Sequence, residues 1–171
     1  MHASERRIMN RELIEQYAKG GEKLALAIRG LTAEDMQCFP PPDANPNVGK
    51  WSIQQVVIHL QDSDLIGADR MRRIIAEDNP TLIGYDETKF ANNLFYHDQS
   101  VEDAVTLFDL SRKQFARILR KLPDSAFTRK GNHNEKGIVT LEQQLKGYVE
   151  HLENHLRFIH AKRAKWGKEM W

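Results

Sequence analysis

Tyr148-Val149-Glu150-His151-Leu152-Glu153-Asn154-His155-Leu156-Arg157-Phe158-Ile159 is the stretch from which the rest of the chain is read. At 100° per residue, Leu141, Leu145, Tyr148, Val149, Leu152, Leu156 and Ile159 fall in one apolar stripe, the pattern of a bundle helix. His151 and His155 are four residues apart, project from one side of that helix and border the stripe. Two imidazoles so placed can share one metal ion. His160, five residues beyond His155, points elsewhere.

Two imidazoles make a weak divalent site, whereas three with an open fourth position make a catalytic one. The best third candidate is His59, in Trp51-Ser52-Ile53-Gln54-Gln55-Val56-Val57-Ile58-His59-Leu60. Here Ile53, Val56, Val57, Leu60, Gly67, Met71, Ile74 and Ile75 form the stripe, and His59 lies on its rim. Two helices packed stripe to stripe bring His59, His151 and His155 to a shared edge. Periodicity alone suits equally well ordinary rim histidines bonded to backbone or water.

The chain has 171 residues, 40% of them hydrophobic, which fits a single domain over residues 1–171 with a sizeable core. A formal charge of +1 gives no global field to attract nucleic acid or an anionic membrane. The longest uninterrupted apolar run, Leu24-Ala25-Leu26-Ala27-Ile28, is too short to span a bilayer, and Met1 to Arg7 contains no signal-peptide core. The lone Cys38 excludes an intrachain disulfide and reads as a small packed side chain. A cytoplasmic setting is the default expectation.

Capping signals place four main helices and no strands, an all-α architecture. Asn10 is the expected cap of a first long helix, bent at Gly20-Gly21 where a neighbour approaches closely. Thr32 and Asp35 open a short turn, and Phe39 to Asn47, with four prolines, is a loop. Ser52 with Gln55 boxes the second helix, which runs to about Glu77. Residues 78–99 form a long connection that is functional or partly helical. Ser100 with Asp103 starts the third helix, and Pro123 stops it. After the polar loop Arg129 to Gly137, Thr140 with Gln143 boxes the fourth, which ends near Trp166.

Taken together, Trp51-Ser52-Ile53 with His59-Leu60, Tyr85-Asp86-Glu87, Gly137 before Thr140-Leu141, and His151-x-x-x-His155 resemble the DinB/YfiT-like family of metal-binding four-helix bundles. The resemblance covers about Tyr17 to Ile159. It implies a metal held by His59, His151 and His155, with zinc or nickel the expected ions. It also implies an up-down-down-up bundle with a long crossover between helices two and three, and a homodimer. Relatives include S-transferases using low-molecular-weight thiols, a thiol-dependent isomerase and metal-dependent hydrolases. Fold alone does not choose among them.

A neutral three-histidine site leaves the ion's charge intact to acidify a thiol or a water. Hydrolysis calls for a carboxylate near that water, yet Leu152 follows His151, and Glu150, Glu153 and Asp62 are expected to project away. Only Asp86 and Glu87 in the connection remain as bases, so transfer of a low-molecular-weight thiol to an electrophile ranks first. Hydrolysis of a small ester or amide ranks second, and a non-catalytic metal-binding or interaction module third. Gln144 and Ser63 are candidates to orient an imidazole or touch substrate, and Tyr85, Phe90 and Tyr96 to wall a cleft. The basic end, His160 to Lys168, reads as a solvated helix terminus.

Overall fold

The structure, a computed structural model, describes residues 3–41 and 48–168; Pro42 to Asn47 of the proline-rich loop lie outside them, as do Met1 and His2. Seven α-helices are described, α1 (Ala3–Ala18), α2 (Gly20–Ile28), α3 (Ala33–Gln37), α4 (Ile53–Ala76), α5 (Glu87–Asn93), α6 (Val101–Leu119) and α7 (Leu141–Lys165). Three short strands accompany them, β1 (Thr81–Leu82), β2 (Lys130–His133) and β3 (Gly137–Thr140). The successive pair α1/α2 and helices α4, α6 and α7 make a four-helix bundle that runs up-down-down-up. Helices α6 and α7 each lie between that pair and α4.

The caps explain where the bundle helices begin. Ser52 and Gln55 exchange side-chain and backbone hydrogen bonds at the start of α4, Thr140 and Gln143 do so at α7, and Thr32 and Asp35 do so at α3. Ser100 accepts from the Asp103 N–H at the start of α6. Asn10 does not cap. It lies inside α1, 1% exposed, because the helix starts seven residues earlier, at Ala3.

The first long helix is interrupted only at Lys19, across which the hydrogen-bond ladder continues to Glu15 and Lys23. A Cβ on Gly20 would strike the Arg112 side chain and one on Gly21 would strike Asp109, so both glycines let α6 come close. Apolar side chains form two clusters, one around Leu24, Ile53, Phe108 and Leu156, the other around Tyr17, Met71, Phe115 and Leu145. On the last turn of α6, Ile118 is 39% exposed and Leu119, at 1%, faces inward.

A small sheet, order β1-β2-β3, departs from the strand-free expectation. Strand β2 pairs with β3 as a hairpin and with β1 in parallel. With two to four residues each and a β2 sequence of Lys-Gly-Asn-His, the strands are too short and too polar to show an alternating apolar pattern. The sheet is minor, and it ties the crossover between α4 and α6 to the segment that enters α7.

Cys38 is exposed, not packed, because it follows the last turn of α3. The basic end of α7 is not uniformly solvated either. Lys162 is fully buried and donates to the Val48 carbonyl, while Arg163 donates to the carbonyls of Ala27 and Arg29. Long aliphatic stems let both cations cross apolar surface to reach backbone acceptors. Burial lowers the Lys162 ammonium to about 8. No described helix is long and apolar enough to cross a membrane.

Candidate metal centre

Helix α4 supplies His59 and α7 supplies His151 and His155, and their ring nitrogens converge. His151 Nε2 stands 3.1 Å from His59 Nε2 and 3.1 Å from His155 Nε2. One potential ligand atom from each of the three lies within 4.8 Å of the others, and among the described residues no other His, Cys, Asp or Glu joins such a group. Three nitrogens about 2.0–2.1 Å from one tetrahedral ion would stand about 3.3 Å apart, close to the spacing observed.

Electrostatics point the same way. Burial depresses all three imidazoles, His59 to about 2, His151 to about 3 and His155 to about 4, and mutual repulsion with neighbouring imidazoles deepens the shift at His59 and His151. Neutral rings turned Nε2 to Nε2 crowd acceptor lone pairs together. His151 Nε2 has one in-plane lone pair or one proton, so it cannot complete a linear hydrogen bond with both neighbours. A cation between them would satisfy all three.

Packing holds these rings. The Trp51 ring lies edge-on to His59 with centroids 4.9 Å apart, Phe158 packs on His155 at 5.8 Å and Tyr148 on His151 at 6.3 Å. The Nδ1 atoms of His59 and His155 are buried without a hydrogen-bond partner among the described residues. Each such group costs about 1–3 kcal/mol, so the inward aim of these rings is maintained against a local penalty.

Beside His151 opens a cleft of about 400 Å³. Its lining settles the placement of the other candidates. Ser63, Tyr85, Glu87 and Gln144 all line it. Asp86 does not; its carboxylate caps α5 by accepting from the Lys89 N–H at 2.9 Å. Tyr85 packs on Phe90 at 4.6 Å, and burial raises its hydroxyl to about 12. Tyr96 is fully buried, with its hydroxyl bonded to Asp62 at 2.8 Å, and forms no part of the lining. Glu150, expected to project away, lines the cleft beside His151, because the cleft extends around the exposed flank of α7.

Sequence reasoning did not single out the buried pair beneath the site. Arg112 on α6 holds Asp64 on α4 through Nε at 2.9 Å and Nη2 at 2.8 Å, and Tyr17 donates to the other Asp64 oxygen at 3.1 Å. The Arg112 guanidinium is sandwiched by the rings of Tyr17 and Phe108 at 4.4 and 4.3 Å. A lone arginine amid apolar positions of a helix, such as Arg112 between Phe108 and Phe115, was the available signal. It needed an acid at a matching level of a neighbouring helix to be read.

A model of the DinB superfamily matches residues 16–159, the span that contains all three histidines, the whole of α4 and α7 as far as Ile159. The chain belongs to the DinB superfamily. Within this superfamily it is similar to a protein of Oceanobacillus iheyensis named "putative metal-dependent hydrolase", 29% identical over 126 residues that cover 72% of this chain and 73% of the relative. It is also similar to the Bacillus subtilis protein named "putative metal-dependent hydrolase YfiT", 30% identical over 65% of this chain and 63% of the relative. A solved structure of YfiT superposes with a TM-score of 0.82 at 26% identity, covering 92% of this DinB-superfamily chain and 87% of the other. That structure is described as a probable metal-dependent hydrolase with an unusual four-helix bundle topology.

Proposed function

We propose that the chain is a metal-dependent enzyme in which His59, His151 and His155 hold one divalent ion, zinc or nickel, beside a cleft for a small-molecule substrate. The convergence of three neutral Nε2 atoms, 3.1 Å apart in both pairs that include His151, carries this reading. When bound, such an ion supplies Lewis acidity that makes an adjacent thiol or water reactive at neutral pH.

The reaction we place first is transfer of a low-molecular-weight thiol to a carbon electrophile. The S–H bond breaks and an S–C bond forms. The bond from that carbon to its leaving group breaks, and the proton departs with the leaving group. In support, no carboxylate joins the three imidazoles among the described residues, so the ligand set is neutral, and a thiolate is its own nucleophile and needs no neighbouring base. Tyr85 stays protonated at neutral pH, and together with Ser63 and Gln144 it offers hydrogen bonds that orient what enters the cleft.

Hydrolysis of a small ester or amide is the second reading, favoured by Glu87 and Glu150 in the cleft that His151 lines. There water adds to the carbonyl, the C–O or C–N bond breaks, and a carboxylate passes the proton from water to the leaving group. Turnover of metal-loaded protein with and without added thiol separates the two. Strict thiol dependence upholds transfer, and metal-dependent turnover without thiol replaces it with hydrolysis. Inactivity of metal-loaded protein across both substrate panels leaves a non-catalytic binding module.

The homodimer belongs to the same proposal and is supported by Leu107, Leu110 and Ile118, exposed along α6. A monomeric mass by light scattering would remove it. The cytoplasmic setting is likewise proposed.

A further inference from the structure

Arg70 on α4 lines the cleft and is 7% exposed, yet among the described residues no carboxylate pairs with it. Buried charges are ordinarily paired, because removing an ion from water is expensive. The nearby acids are committed elsewhere or exposed to solvent. Asp64 is bound to Arg112 and Tyr17, and Asp69 to Arg73. Glu87, Glu135 and Glu150 line the same cleft, but all three are exposed, and Glu150 faces Lys146 at 3.7 Å.

Neutral acceptors take three of the five guanidinium N–H groups. Nε donates to the Ile83 carbonyl at 3.1 Å, Nη2 donates to the same carbonyl, and Nη1 donates to the Tyr148 hydroxyl at 3.3 Å. One N–H on Nη1 and one on Nη2 remain. These contacts fix the plane of the guanidinium without neutralising it.

A second buried donor shares this wall. His133 is 2% exposed and lines the cleft, and its Nδ1 accepts from the Glu135 N–H at 3.2 Å. The neutral ring therefore carries its proton on Nε2. Lys136, exposed and without an ion pair among the described residues, stands at the rim.

We propose that the floor of the cleft is an anion subsite, in which Arg70 and His133, with Lys136 at the rim, receive a carboxylate or phosphate carried by the substrate or thiol. The inference rests on the cleft being the substrate site, as proposed above. Burial keeps water from screening the fixed guanidinium, whereas the three exposed acids act through solvent. The ligand is then a molecule with an anionic group at one end and its reacting atom at the other, beside His151.

The test is calorimetric titration of malonate and of inorganic phosphate into the full-length chain, as purified and after metal removal by a chelator. Saturable one-site binding of one anion is expected in both preparations, weakened more than about tenfold by Arg70→Gln. Preference for malonate identifies a carboxylate ligand, and preference for phosphate identifies a phosphate ligand. If Arg70→Gln does not fold, His133→Phe and Lys136→Ala serve, each expected to weaken binding several-fold. Absence of saturable binding by metal-free protein overturns the subsite. So does undiminished binding by the folded Arg70→Gln variant, or by both substitute variants. Failure of thiol-dependent turnover bears on the proposed reaction and leaves this result intact.

Discussion

Arg112 Nη2 donates to the main-chain carbonyl of Tyr148 at 3.0 Å, three residues before His151. Because the same guanidinium grips Asp64, five residues after His59, one α6 side chain bridges the two helices that carry the imidazoles. The third helix contributes no imidazole to the cluster; it contributes their alignment.

Breaking this pair is expected to be costly. Asp64→Ala or Arg112→Ala leaves one buried charge unmatched and should destabilise the fold by about 3–5 kcal/mol in urea unfolding. Replacing both with apolar residues should cost markedly less than either single change. Single variants within 1 kcal/mol of wild type would show that the pair contributes little.

The proposed ion should stabilise the chain by mass action. Zinc or nickel at about a hundredfold excess over its dissociation constant should add about 2.7 kcal/mol, and His155→Ala should abolish most of this along with stoichiometric metal content. Melting curves with and without metal, paired with elemental analysis, check it. An unchanged melting temperature for the wild type would refute the site.

Acid sensitivity of metal-free protein follows from the three depressed imidazoles. In the unfolded chain they take up protons near pH 6.5, while in the folded chain they stay neutral to about 4 at His155, 3 at His151 and 2 at His59. Between these values the unfolded state holds more protons, so stability is full above pH 6.5 and falls as pH drops. Each imidazole contributes at most about 1.4 kcal/mol per pH unit. Urea midpoints measured from pH 7.5 to pH 5 should decline, and His151→Gln with His155→Gln should flatten the decline. A level profile in wild type would contradict the assignment.

Two glycines should respond with opposite signs. A Cβ on Gly67 would land on the Tyr148 ring, so Gly67→Ala should destabilise by about 1–3 kcal/mol despite alanine's better helix propensity. Gly147 on α7 has nothing within 4 Å of such a Cβ, and Gly147→Ala should stabilise by about 0.5–1 kcal/mol. Chemical denaturation of the two variants reads both effects.

Features carried by local chemistry were legible in the residues. The boxes at Ser52/Gln55 and Thr140/Gln143 mark true helix starts because each side chain bonds a backbone group three residues away. Helix periodicity and stripe borders left the meeting of His59 with His151 and His155 one of two readings, and the resemblance to a metal-binding family chose it. What escaped depends on partners distant in the chain. Lys162 and Arg163 look solvated until the carbonyls of Val48, Ala27 and Arg29 arrive to receive them. Glu150 looks irrelevant on a helical wheel, and only the hairpin and crossover around α7 make its flank part of a cleft. Asn10 resembles a cap, but α1 begins before it, and its amide is buried without a partner among the described residues.

The sheet has a mechanical consequence for the cleft. Tyr85 and Glu87 come from the crossover, His133 and Lys136 from the hairpin, and the two segments are sewn together by Asn132 N–H to the Pro80 carbonyl at 2.8 Å and Asn134 N–H to the Leu82 carbonyl at 3.0 Å. Arg70 rivets the same seam to α4 through Ile83. These walls cannot part like jaws, since separating them would unzip backbone pairing. Access to the cleft is therefore left to the exposed side chains that line it, Lys136 and Glu87 among them, within a frame of fixed width.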